Sequence, residues 1–289
     1  MNILAAIKLL RLEQYVKNLF IFLPIFFGLK ISNLALVVDV SIAFIAFSLT
    51  PSAVYIFNDY FDVEDDKLHP KKKNRPLASG AISNNIAFIL MGILAIVGIT
   101  LMSYLSFTAT GILLVYLVLN IAYSVKLKHI VIVDIFTISI GFVLRLVVGS
   151  TLTNTPLSMW IVIMTFLLTT LIALGKRHND IILLNQTGYR MRKVIDGYSQ
   201  QFIEISMIVI GSITLLAYII FSSSYQAIEN SQSEYLYLTS LFVIIGVLRY
   251  LYITFVREDS GSPTKILFTD IFIQLTILGW IISLVWILY

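Results

Sequence analysis

The chain contains no cysteine, which excludes thiolate zinc sites, iron–sulfur clusters and disulfides and leaves the compartment open. Histidine is scarce: His69, His129 and His178 stand far apart, with no metal-ligand spacing. Charge is thin as well. Asp, Glu, Lys and Arg make up 12% of the 289 residues, about half the share of a soluble globular domain. No polar interval exceeds roughly 25 residues, too short for a core of its own, so no soluble domain is expected. The apolar start, residues 1–10, runs into Arg11, Glu13 and Lys17 without a small-residue cleavage site, and no signal peptide is expected.

What fills the chain instead is apolar. Hydrophobic residues make up 58% and the mean hydropathy is +0.93. Apolar runs predict about nine transmembrane helices, near 16–30, 34–57, 82–104, 107–124, 130–153, 157–175, 201–223, 235–256 and 266–288. The expected fold is all-α, a polytopic membrane protein forming one integral membrane domain over 1–289. Lys8, Arg11, Lys17, Lys67, Lys71, Lys72, Lys73, Arg75, Lys126, Lys128, Lys176, Arg177, Arg190, Arg192, Lys193, Arg257 and Lys265 all fall in connections on one side. The other side holds only Lys30, Glu229 and Glu234. The positive-inside rule therefore puts the N-terminus and every charged loop in the cytoplasm and Tyr289 outside.

The densest chemistry closes the second run: Asn58-Asp59-Tyr60-Phe61-Asp62-Val63-Glu64-Asp65-Asp66, then Lys67-Leu68-His69-Pro70-Lys71-Lys72-Lys73-Asn74-Arg75-Pro76. If the helix continues through Asp66, then Asn58, Asp62 and Asp66 share one face with Asp59 beside them. Carboxylates stacked at a helix C-terminus repel one another and oppose the helix dipole. Hard oxygen ligands of this kind suit magnesium, whose remaining shell is filled by water and phosphate. The following lysines and arginines would meet the same phosphates. Lys71–Lys73 serve equally well as a topology anchor, so only Lys73 and Arg75 are taken as ligand contacts. The two prolines mark an ordered loop.

Elsewhere, Arg11, Gln14, Lys17 and Asn18 lie within about a third of a helical circumference, either an interfacial basic turn or a phosphate-contacting wall. Tyr123-Ser124-Val125-Lys126-Leu127-Lys128-His129 closes the fourth span. The fifth carries Asp134 and Arg145, about 16 Å apart on one side of a helix. Intramembrane ionisable groups usually face a cavity or a partner, and a structural pairing of Asp134 with Lys126 or Lys128 stays open. Gly175-Lys176-Arg177-His178-Asn179-Asp180 reads as another charged helix end, with a polar loop or interfacial helix over 176–197. Arg249 and Asp270 either pair or cap, and 258–263 reads as a turn. A helix ending in charge before a basic loop occurs at 55–75 and again at 123–134, a faint internal echo.

These residues resemble a known family. Asn58-Asp59-x-x-Asp62-x-x-x-Asp66 with His69-Pro70 and Arg75-Pro76-Leu77-Ala78-Ser79-Gly80 is similar to the first aspartate motif of the UbiA-type membrane prenyltransferase superfamily. Tyr123-Ser124-x-x-Leu127-Lys128 through Asp134 to Gly141-Phe142-x-x-Arg145-x-x-x-Gly149 resembles its decaprenyl-phosphate phosphoribosyltransferase branch. So do Arg11-x-x-Gln14-x-x-Lys17-Asn18 and Lys176-Arg177. Asp180 stands where that branch leads one to expect glutamate, and Tyr15 where it leads one to expect tryptophan. The resemblance implies nine helices around a central cavity open laterally to lipid.

It also implies transfer of 5-phosphoribose from phosphoribosyl diphosphate (PRPP) to a polyprenyl phosphate, in cell wall precursor biosynthesis. Asp62, Asp66 and Asp134 are the expected catalytic residues. Asn58, Asp59, Asp62 and Asp66 are expected to hold Mg2+. Arg11, Gln14, Lys17, Asn18, Lys73, Arg75, Tyr123, Lys126, Lys128, Arg145, Lys176 and Arg177 are the expected substrate contacts. The membrane is the expected setting, a homo-oligomer is allowed, and no nucleic-acid partner is expected. Two rival readings are an aromatic prenyltransferase, which shares the first motif, and a transporter of a phosphorylated solute, whose site would lie nearer the midplane.

Overall fold

The computed structural model describes residues 3–68, 72–188, 193–225, 227 and 233–289, and no strand occurs among them. The helices are α1 (Ile3–Leu10), α2 (Leu23–Phe27), α3 (Leu34–Phe61), α4 (Val63–Leu68), α5 (Asn84–Leu105) and α6 (Phe107–Val125). They continue with α7 (Val133–Thr153), α8 (Met159–Thr187), α9 (Gln200–Ser222), α10 (Ser240–Phe255), α11 (Pro263–Thr269) and α12 (Ile271–Leu288). Eight segments among the described residues are long and apolar enough to cross a membrane: α3, α5, α6, α7, α8, α9, Glu234–Phe255 and α12. The span expected at 16–30 is different. It forms a 3-10 helix, Leu12–Phe22, followed by the five residues of α2. Pro24 lacks an amide hydrogen, and Gly28 ends the short helix it opens.

The chain divides into two units. The first comprises residues 1–125 and 144–157, the second 126–143 and 158–289. In the first, Ile21, Val40, Phe47, Met102, Leu113 and Val148 form one apolar cluster. Leu9, Ala53, Ile56, Leu77 and Leu94 form another. Small residues bring these helices together. A Cβ on Gly98 would lie 2.3 Å from Thr50 Oγ1, and one on Gly149 would lie 2.1 Å from the Ile21 carbonyl oxygen. Close backbone approach of this sort is how helices associate in lipid, where apolar surface alone gives no preference for protein neighbours. The second unit packs Leu171, Leu174, Ile203, Met207, Val247, Tyr250 and Ile253 together.

Pro51 lies inside α3 and cannot bond to the carbonyl of Phe47, four residues earlier. That carbonyl instead accepts from Asn18 Nδ2 at 3.3 Å, and the same amide nitrogen donates to Ser48 Oγ at 2.8 Å. A proline thus opens a backbone acceptor in an apolar helix, and a side chain from the 3-10 segment satisfies it.

α8 also departs from expectation. The run of residues Gly175–Asp180 is no helix end: the helix continues to Thr187 and closes on Gly188 at φ 67. Arg190 and Arg192, part of the expected polar loop, lie outside the described residues, as do His69, Pro70 and Lys71 of the first motif. Lys193–Gly197 forms a 3-10 turn.

Candidate active site

In the first unit the aspartate face keeps its stacking past the end of α3. The backbone bends at Asp62 (φ −90, ψ 5). Even so, Asp62 N donates to Asn58 O at 2.9 Å and Asp66 N to Asp62 O at 2.8 Å. Asn58, Asp62 and Asp66 therefore stay one turn apart on a single face. Arg75 Nη1 bridges two of the carboxylates, donating to Asp59 Oδ1 at 3.0 Å and to Asp66 Oδ2 at 2.6 Å. Arg11 Nη2 donates to the same Asp59 oxygen. Asp59 and Asp66 are buried, so charge-assisted bonds to guanidinium offset the cost of removing them from water. Arg11 reaches Asp59 from a left-handed backbone, φ 52 and ψ 52, at the junction of α1 and the 3-10 segment. A non-glycine residue held there is strained, the kind of geometry that clusters at functional sites.

A cavity of about 310 Å³ opens beside these pairs, lined by Lys8, Arg11, Glu13, Gln14, Asp59, Asn74, Arg75 and Pro76. Lys8, Arg11 and Arg75 face Glu13 and Asp59 on its wall, with Asp66 paired to Arg75. Lys8, Glu13 and Asn74 were not among the residues expected from sequence. Lys8 was legible only as a charge three residues before Arg11. Lys73 is exposed and does not line this cavity.

The second basic position of this unit is Arg145, which is buried. Its Nε donates to Asn18 Oδ1 at 2.7 Å and its Nη2 to Tyr116 Oη at 3.0 Å. Its guanidinium lies over the rings of Phe47 and Tyr116, 5.1 and 4.8 Å from their centroids. Asn18 thus ties the carbonyl freed by Pro51 to the arginine. Lys17 is half-buried on the same segment, and Tyr123 lies near the end of α6.

In the second unit, Asp134 does not pair with Lys126 or Lys128. Its Oδ2 accepts from Arg177 Nε at 2.5 Å and its Oδ1 from Tyr198 Oη at 2.6 Å. Arg177 Nη1 also donates to Asp180 Oδ2 at 3.1 Å. The Arg177 and Asp134 side chains have no exposed surface. The structure therefore pairs these two with each other rather than Asp134 with a lysine of the preceding turn. The reason is electrostatic: a charge sealed from water needs an opposite partner, and a lysine on the edge of the loop cannot follow it inside. Tyr198 does a second task, accepting from Ile132 N at 2.6 Å. Burial, and then the bond to Asp134, raise its phenol above the ordinary value and keep it protonated. Ile132 is held at φ 71, and a Cβ on Gly197 would lie 2.3 Å from Val131 Cγ2. The short turn carrying Lys126 and Lys128 is thereby fastened to the segment after α8, with Lys126 exposed and Lys128 half-exposed. Lys176 is half-buried next to the ion-paired arginine.

No group of three or more His, Asp or Glu side chains close enough to hold a metal occurs among the described residues. The donor set nevertheless fits a hard divalent cation. Its ligands are all oxygen, and Asn58 and Asp62 have no side-chain hydrogen-bond partner among the described residues.

Residues 21–276 match the UbiA prenyltransferase family. Among curated proteins, the chain is 30% identical over 291 residues to "Decaprenyl-phosphate phosphoribosyltransferase" of Corynebacterium glutamicum, covering 98% of this chain and 86% of the other. It is 27% identical over 285 residues to the protein of that name from Mycolicibacterium smegmatis, covering 95% and 89%. Among solved structures, it is similar to a UbiA homolog from Archaeoglobus fulgidus bound to GPP and Mg2+, at 18% identity and a TM-score of 0.70, covering 97% of this chain and 99% of that one. A UbiA homolog from Aeropyrum pernix K1 aligns at 13% identity and a TM-score of 0.69, covering 93% and 97%.

Proposed function

The chain belongs to the UbiA prenyltransferase family, and from that premise we propose that it transfers 5-phosphoribose from PRPP to a polyprenyl phosphate, releasing diphosphate. The observation that carries this reading is the near full-length likeness to decaprenyl-phosphate phosphoribosyltransferases. The cavity beside the aspartate face, with Lys8, Arg11 and Arg75 on its wall, supports it.

In the proposed reaction the bond between the ribose C1 and the diphosphate oxygen breaks, and both its electrons leave with the diphosphate. A lipid phosphate oxygen, ionised at neutral pH, forms the new bond to C1, so no dedicated base is required. Arg11, Arg75 and Lys8 would neutralise phosphate charge on the cavity wall, where fixed donors facing developing charge are most effective. Asn58, Asp59, Asp62 and Asp66 would hold magnesium, which when bound supplies Lewis-acid stabilisation of the departing diphosphate. Gln14, Lys17, Lys73, Tyr123 and Arg145 are proposed substrate contacts of the first unit, and Lys126, Lys128 and Lys176 of the second. Asn18 orients Arg145, while Asp134 and Arg177 fix the turn that presents the two lysines. The protein is integral to a membrane; the cell membrane is its proposed setting, and the positive-inside distribution supports a cytoplasmic active face.

The deciding experiment gives purified protein and magnesium two substrate pairs. One is PRPP with a polyprenyl phosphate; the other is a polyprenyl diphosphate with 4-hydroxybenzoate. Lipid-linked phosphoribose from the first pair alone is expected. Product from the second pair alone would overturn the assignment in favour of aromatic prenyl transfer.

A further inference from the structure

Arg249 belongs to α10, six residues before its end at Phe255, which places it about 9 Å inside a membrane-length helix. A charge there requires a partner. Asp270, the N-cap of α12, supplies one: its Oδ1 and Oδ2 accept from Arg249 Nε at 3.2 Å and Nη2 at 2.8 Å. Oδ1 also accepts from Ile273 N at 3.0 Å. A second guanidinium comes to the same carboxylate, with Arg257 Nη1 at 3.4 Å from Oδ2. Both arginines lie over the Tyr252 ring, and Arg249 lies over Phe272 as well. The Arg257 side chain is 51% exposed, against 9% for Asp270.

Two cations share this one carboxylate, while Glu258 accepts from Gln186 and Asp259 pairs with Lys265, and the groups around the two arginines are not those of a water-facing site. Leu248, Tyr252, Phe268, Ile271, Phe272 and Leu275 are all large, apolar and exposed. Surface of that kind on a membrane helix faces hydrocarbon. An anion completing the charge balance there must be amphiphilic, with its tails along the helices and its phosphate at the interface. We propose that Arg257 and Arg249 form a seat for the headgroup phosphate of a monoanionic glycerophospholipid. The guanidinium fork suits a phosphate oxygen pair, and the aromatic faces hold the arginines in place for it.

The test uses the full chain in zwitterionic detergent, followed by native mass spectrometry during titration with phosphatidylglycerol, phosphatidylcholine or inorganic phosphate. One phosphatidylglycerol per chain is expected to be retained in preference to phosphatidylcholine, and millimolar inorganic phosphate should not displace it. Arg257→Gln leaves the Arg249–Asp270 pair intact and should lower that retention roughly fivefold, the worth of one basic side chain at a membrane surface. Arg257→Lys should fall between the two. Equal retention of both lipids, or an unchanged Arg257→Gln protein, would refute the seat. Displacement by inorganic phosphate would reassign it to a soluble anion and refute the lipid.

Discussion

One nitrogen, Nη1 of Arg75, joins Asp59 to Asp66, while Asp62 on the same face has no ion-pair partner among the described residues. The guanidiniums thus compensate two carboxylates, and Asp62 is the acid of the proposed magnesium set that neither of them reaches. Asp62→Asn keeps the shape and every ion pair, so the protein should fold with an unchanged melting temperature. Turnover should fall on the order of a hundredfold or more, the scale seen when a group stabilising transition-state charge is removed. Activity within a few fold of the parent protein would take the metal role away from Asp62. Tyr198 offers a different residue-level test, because its hydroxyl both donates to Asp134 and accepts from Ile132 N. Tyr198→Phe strands a part-buried amide hydrogen and one oxygen of a buried carboxylate, a loss of about 1–3 kcal/mol. The expected signature is a lower melting temperature together with a raised KM for PRPP, as the Lys126–Lys128 turn loosens, and a smaller change in kcat. A drop in stability with unaltered KM would make the tyrosine a fold residue only.

At the level of elements, the approach of α7 to the 3-10 segment depends on Gly149. A methyl group there would sit 2.1 Å from a backbone oxygen, and backbone cannot swing aside as a side chain can. Gly149→Ala should destabilise the first unit by about 1–3 kcal/mol, the usual cost of overpacking, seen as earlier thermal unfolding in detergent. An unmoved transition would mean the segments have room to part. Neither this crossing nor the role of Pro51 was legible in the sequence, because each depends on which helix lies opposite. The aspartate face was legible, since an apolar run of helical length and a four-residue spacing are local properties. Its partner Arg75 lies 16 residues on, near enough for the basic loop to be suspected. The true end of α8 was hidden. Lys176 to Asp180 look like charges reaching water, but Arg177 is neutralised by Asp134, 43 residues earlier, and the helix passes straight through them. The 16–30 run differs in form: its hydropathy fits a span, but a 3-10 helix followed by a short α-helix opened by Pro24 and closed by Gly28 takes the place of one continuous helix.

For the molecule as a whole, the distribution of fixed charge and the count of crossings make the same demand, and the absence of cysteine makes it measurable. Five membrane-length helices, α5 through α9, lie between Lys73 and Glu234. If each of them crosses, that odd number puts those two residues on opposite sides of the bilayer. Glu234–Phe255 adds a sixth before Lys265, which returns to the side of Lys73. All three side chains are exposed, so single cysteines at these positions meet a membrane-impermeant maleimide without competition from native thiols. Lys73→Cys and Lys265→Cys should label in inside-out vesicles and stay unlabelled in right-side-out ones, with Glu234→Cys the reverse. If all three label from one face, one of the five helices and Glu234–Phe255 both fail to cross. If the pattern holds but is inverted, the crossings stand and the basic loops face outward. PRPP made in the cytoplasm would then not reach the Arg11–Arg75 cavity, and phosphoribosyl transfer by this chain could not stand.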